Sequence, residues 1–188
     1  MKTLALLLFC FASVAYQSNA QIQGASSPSQ TSVDIGGFLN VAWGTSREEA
    51  KKIMSQRHGV AFKGSNQDQT ALYFTGGTFS DFDVQSIILI FCRDRFCGGQ
   101  VIIKPKPTLA RTWYDVCAGL MKKYGNPARN DRGGLSARWD FPNSSNPKET
   151  IFCCVSYTRE GIAVVYTNEP MQDEFENARG EEISTKDM

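Results

Sequence analysis

The segment VQSIILIFCRDRFCGGQVIIK, residues 84–104, decides the architecture of this chain. It sets two apolar, Ile- and Val-rich runs on either side of Arg93-Asp94-Arg95-Phe96, with Cys92 and Cys97 at the borders. Apolar runs of this length around a short polar segment form an antiparallel hairpin. In a hairpin with a four-residue loop, Cys92 and Cys97 sit opposite each other within bridging reach, so a disulfide is expected there.

Working outward, the same pattern returns at Phe152-Cys153-Cys154-Val155 through Gly161-Ile162-Ala163-Val164-Val165, and further strands are expected at 71–79 and 137–141. Each group of strands follows a helix. Thr45 and Glu48 have capping-box spacing, Ala50, Ile53 and Met54 share one face, and Gly59 supplies a stop. A second helix is expected over 108–124, with Leu109, Trp113, Val116, Cys117, Leu120 and Tyr124 on one face and Gly125 and Pro127 ending it. Helix followed by three strands, twice, predicts an α+β fold: two such units forming an antiparallel sheet with helices packed on one face. The repetition over 33–104 and 105–170 is either an ancient tandem duplication or the ordinary recurrence of hairpins in this class.

The chain has 188 residues, 41% hydrophobic and 21% charged, and 20 Lys+Arg against 19 Asp+Glu give a formal net charge of +1. That composition fits a folded globular body and lacks the basic field of nonspecific nucleic-acid binding. The single histidine, His58, removes most Ser/His, Cys/His and multi-histidine arrangements. Lys2, the apolar stretch 4–16 and the small-residue site Ser18-Asn19-Ala20 predict a secretory signal peptide over 1–20, with Ser13-Val14-Ala15 as a second cleavage candidate. Phe9 before Cys10 does not suit a lipoprotein site. No later stretch is apolar enough to span a bilayer, so a periplasmic or secreted product is expected. Residues 21–32, rich in Ser, Gln and Gly, read as a flexible leader, 33–170 as the folded domain and 171–188 as a charged tail, either frayed or a solvated helix.

Two local matches add to this reading. Trp43-Gly44-Thr45-Ser46-Arg47-Glu48-Glu49-Ala50 before the first helix, and Lys122-Lys123-Tyr124-Gly125-Asn126-Pro127 closing the second, resemble a broad group of exported bacterial proteins of unknown function. Their helix-plus-strands repeats are like those of the β-lactamase inhibitory protein, so the resemblance implies a two-unit fold and a binding role. The nine residues from Cys92 to Gln100 resemble the cysteine-closed loop of Ivy-type bacterial lysozyme inhibitors, where such a loop, followed by Gly-x-Gln, enters the enzyme's active site. This chain lacks the histidine of that loop.

Five cysteines remain after signal removal: Cys92, Cys97, Cys117, Cys153 and Cys154. Five is odd, so at least one is a thiol or pairs with another chain. Cys117 lies on the apolar helix face, while alternation sends Cys153 and Cys154 to opposite faces of their strand. Either one of them bridges to Cys117, or Cys117 is a small buried hydrophobe. The absence of a CxxC pair and the lone His58 give no zinc-type or thioredoxin-type site.

A loop closed by a disulfide pre-organises its side chains for binding, so Arg93, Asp94, Arg95 and Phe96 are the candidate binding residues. Asp68, Asp81 and Asp83 lack the spacing of a calcium loop and read as turn residues. Glu48 and Glu49 are accounted for by helix capping. Trp43, Trp113 and Trp139 read as packing, or as an aromatic strip on the exposed sheet face, and Asn143-Ser144-Ser145 is a formal glycosylation acceptor. The resulting expectation is an exported binding protein with no catalytic, metal or cofactor site, which takes a protein or peptide partner on its hairpin and open sheet face. The alternatives are an inhibitor of a cell-wall or other extracytoplasmic hydrolase, an envelope structural component, and a thiol-dependent enzyme.

Overall fold

The computed structural model describes residues 35–130, 135–142 and 150–186. In chain order the elements are β1 (Gly37–Phe38), β2 (Val41–Ala42), α1 (Arg47–Ser55), β3 (Val60–Ser65), β4 (Ala71–Gly76), β5 (Thr78–Phe79) and β6 (Phe82–Cys92). They continue with β7 (Arg95–Ile103), α2 (Leu109–Tyr124), β8 (Arg129–Asn130), β9 (Ser136–Pro142), β10 (Thr150–Tyr157), β11 (Ile162–Asn168) and α3 (Glu169–Lys186). The expected signal peptide, leader, Cys10 and Asn143-Ser144-Ser145 lie outside the described residues.

The expected hairpin forms from β6 and β7, with Ile87 opposite Val101 and Leu89 opposite Gly99. The second forms from β10 and β11, with Val155 opposite Val164. The α+β expectation of two helix-then-three-strand units is nevertheless overturned. Among the described residues strands outnumber helices, and three helices accompany one large antiparallel sheet of nine strands. The sheet runs β3-β4-β6-β7-β11-β10-β9-β8, with β5 added beside β6, so β7 joins β11 directly and the protein is mainly β. Sequence reading underestimated the strands because β3 is Val-Ala-Phe-Lys-Gly-Ser, mostly exposed, and carries no alternating apolar signal. The two-residue strands β1, β2, β5 and β8 are too short to leave any period at all.

Register explains the core. Leu72, Phe74, Ile87, Leu89, Val101, Ile103, Ile162, Val164, Cys153, Val155, Ala137 and Trp139 alternate onto one face, where they form a single buried cluster. The same cluster takes in Ala50 and Met54 of α1 and Trp113, Val116, Leu120 and Tyr124 of α2. Both helices use their expected apolar stripes. The cap of α1 moves one residue from the expected Thr45: Ser46 accepts from the Glu49 amide. Thr108 caps α2 and Gly125, at φ 79°, ends it as anticipated.

Helices on one face only is a further point of correction. The charged segment, for which a solvated helix was one of the two expectations, continues β11 as the helix α3, which crosses the opposite face at the end where β6 turns into β7. Its Gln172 lies 3.4 Å from where a Gly98 Cβ would stand. Its Glu169 accepts a bond from Arg138 at 3.0 Å. On the core side a Gly99 Cβ would stand only 2.1 Å from the Phe38 ring, so glycine here lets the β1–β2 hairpin dock on the sheet. The Gly98-Gly99 pair is thus accounted for by packing on both faces. No helix among the described residues is long and apolar enough to cross a membrane.

Candidate functional site

At the tip of the β6–β7 hairpin, Cys92 pairs with Arg95 and Phe91 with Phe96, so the turn proper is two residues, Arg93 and Asp94. Both have positive φ, 49° and 62°, the backbone of a tight primed turn whose twist suits the flanking strands. Register then slips between Ile90 and Phe91, leaving Cys97 as the extra residue beside Gly98. Cys97 bonds to Cys92 across the hairpin with a Cα separation of 6.0 Å, the expected disulfide.

Arg93, Asp94 and Arg95 are exposed, as a binding tip requires. Phe96 is not: it is 0% exposed, stacks on Trp43 with ring centroids 5.1 Å apart and tilts against Phe91. One step of strand alternation beyond Arg95 turns it into the core. It is withdrawn from the presented set, and Trp43 with it becomes packing.

The tip is anchored to two other elements. The Phe96 amide donates to Thr45 O at 2.8 Å and the Gly44 amide donates to Phe96 O at 2.9 Å, tying the hairpin to the entrance of α1. Arg47, the first residue of α1, pairs with Asp94 at 3.7 Å and donates to Gln69 O at 2.9 Å in the β3–β4 turn. On the other side Arg95 pairs with Glu174 of α3 at 3.8 Å. Among the described residues, Arg93 alone of the three tip charges has no ion pair.

Of the two alternatives for Cys117, the structure holds the one without a bridge. Cys117 and Cys153 are thiols, which excludes a Cys117 bond to either Cys153 or Cys154. Burial pushes the Cys117 thiol up to about 11 and that of Cys153 up to about 12, the latter in spite of a hydrogen bond from Tyr166. Tyr166, itself raised by burial, shares a 3.2 Å hydroxyl contact with Tyr124. Trp113 stacks on Tyr157 at 4.7 Å and Trp139 donates its indole N–H to Gly125 O, so these tryptophans serve packing rather than an exposed strip.

On the face carrying α3, the Arg138 guanidinium lies 3.9 Å over the Phe152 ring and bonds to both Asp140 and Glu169. Burial by itself would lower its pKa; the bonds and charges of these two carboxylates outweigh burial and raise it. The expected open sheet face is therefore partly occupied by α3 and its polar anchors. Sequence reading passed over Arg57, which donates to Leu39 O at 3.2 Å and lines a solvent-facing cleft beside α2. Its partners are backbone carbonyls, which leave no trace in side-chain patterns.

Compared with known proteins, the chain matches no family model, no curated protein and no solved structure.

Proposed function

We propose that this chain is an exported binding protein without catalytic activity, which presents Arg93, Asp94 and Arg95 on a fixed hairpin tip to a protein or peptide partner. The observation that carries the reading is the anchoring of that tip by the Cys92–Cys97 disulfide, by the Phe96 and Gly44 backbone bonds, and by ion pairs to α1 and α3. A tip held in advance loses little conformational entropy on binding, and arginine is an effective interface anchor. Arg93, unpaired among the described residues, gives the tip an excess of positive charge that suits an acidic patch on the partner.

The competing readings draw less support. An inhibitory loop must reach into a cleft, whereas only Arg93 and Asp94 lie beyond the paired strands. A thiol-dependent enzyme needs a thiolate, and burial disfavours that form at Cys117 and Cys153. An intermolecular bridge in an envelope component would have to avoid Cys153, which is fully buried.

The test is a binary binding measurement. The purified protein is used to isolate partners from envelope and extracellular fractions, and each is then titrated against wild type and an Arg93→Ala/Asp94→Ala/Arg95→Ala triple variant. Loss of about tenfold or more in affinity is expected from removing interface anchors, with the denaturation midpoint lowered only by the small contribution of the two exposed ion pairs. A partner bound equally by both proteins refutes the hairpin as the binding surface.

A further inference from the structure

The cleft beside α2 has a volume of about 390 Å³ and lies between that helix, the β1–β2 turn and the β5–β6 turn. Its floor is apolar and aromatic: Phe38, Val116, Leu120, Tyr124 and Tyr166 are all buried side chains. Two cations, Arg57 and Lys123, line it as well. Neither makes an ion pair among the described residues. Arg57 is held by Leu39 O at 3.2 Å and Thr78 O at 3.5 Å, both uncharged acceptors, and its Nε is buried without a hydrogen-bond partner among the described residues. An orphan guanidinium N–H is rare enough in folded proteins to need an explanation. Lys123 extends over the face of the Tyr124 ring, 4.9 Å from its centre.

The helix contributes one more feature. Gly119 lines the cleft from the middle of α2, and nothing stands within 4 Å of where its Cβ would be. Glycine is the poorest helix former after proline, and no close packing demands it here. A side chain here would project into open space at the edge of the cleft. Apolar walls with a few convergent polar groups are the general form of a small-ligand site.

We infer that this cleft binds a small amphipathic monocarboxylate, with the carboxylate at Arg57 and Lys123 and an aliphatic or aromatic body over Phe38 and Leu120. An anion is selected because, among the described residues, both charged groups at the cleft are cations without acidic partners. A carboxylate matches the planar fork of the guanidinium, and the floor supplies apolar contact for the rest of the molecule. This site is separate from the hairpin tip and stands whether or not the tip binds a partner.

The probe is decanoate, titrated into the purified protein and followed by amide chemical shifts, with decanol and decyltrimethylammonium as neutral and cationic controls. Saturable shifts at Gly37, Gly119 and Lys123 with decanoate are expected, with both controls weaker by about tenfold or more, since a charge-assisted pair is lost. Lys123→Met weakens decanoate binding, and Gly119→Leu abolishes it while raising the denaturation midpoint. Arg57→Gln weakens it too; should that variant fail to fold, the Lys123 and Gly119 variants, both at exposed positions, decide the matter. No saturable shift at these amides, equal binding of decanol, or undiminished binding by Gly119→Leu overturns the inference.

Discussion

Cys92 faces Arg95 across the hairpin, and its disulfide therefore reaches diagonally past that pair to Cys97. The bridge closes a very short loop, with a sequence separation of 5, so it removes little chain entropy from the unfolded state. Its main effect is to fix the angle at which Arg93 and Asp94 leave the sheet. A Cys92→Ala/Cys97→Ala variant should lose about 2 kcal/mol, as loop-closure entropy gives for a loop this short. Urea denaturation of the two proteins measures it, and a loss above about 4 kcal/mol would assign the bridge a larger share in the fold than its own loop.

Phe96 and Arg93, three residues apart, should behave oppositely on truncation. Phe96→Ala removes a side chain that is fully buried between Trp43 and Phe91, and should cost about 3–5 kcal/mol. Arg93→Ala touches an exposed turn residue and should stay within about 0.5 kcal/mol. If the proposed function holds, only the second change lowers partner affinity at constant stability. Parallel urea curves and binding titrations on the two variants separate the roles.

The contrast also marks how far sequence carries. The strand pair around residues 84–104, its disulfide, the α2 stripe and the stop at Gly125 were all legible, because each rests on residues close in sequence. The inward turn of Phe96 was missed because it depends on a two-residue turn, whereas a four-residue loop would have left Phe96 outside the ladder. Whether the two units share one sheet stayed open in the sequence, because that rests on the pairing of β7 with β11, which no local pattern encodes. Arg57 was illegible for the same reason, since its acceptors lie 18 and 21 residues away.

The buried thiols set the alkaline limit of stability. Cys117 and Cys153 ionise only at about 11 and about 12 in the folded protein, against an ordinary value of 9.0. Above pH 9 the unfolded chain gives up these protons first and binds fewer than the native state. Stability therefore falls with rising pH through the window from about 9 to 12, and burial-raised Tyr166 acts in the same direction. Urea midpoints should be level across pH 7–8 and lower at pH 10.5. Iodoacetamide at pH 8 should label Cys153 only after unfolding; rapid labelling of native Cys153 would contradict its burial.

Arg138 joins the sheet to α3 through Glu169 while covering Phe152. Arg138→Met keeps much of the apolar contact with the ring but leaves Asp140 and Glu169 without their guanidinium. Because the side chain is 26% exposed, the cost should be moderate, about 1–2 kcal/mol. Hydrogen exchange should show the first turn of α3 less protected while β6 and β7 are unchanged. Uniform loss of protection across the sheet would mean that Arg138 supports the core rather than the helix junction.

Gly119 offers a stability test that requires no ligand. It lies in the interior of α2, exposed, with open space where a Cβ would project. Gly119→Ala should therefore gain about 0.5–1 kcal/mol from helix propensity and reduced freedom of the unfolded chain, with no steric cost to offset it. A gain establishes that folding alone does not call for glycine at this position, which leaves access to the cleft as the reason for it. A loss would mean that Gly119 meets a packing constraint, and the glycine would no longer point to a ligand site. The thermal midpoint of this one variant, read before any titration, separates the two cases.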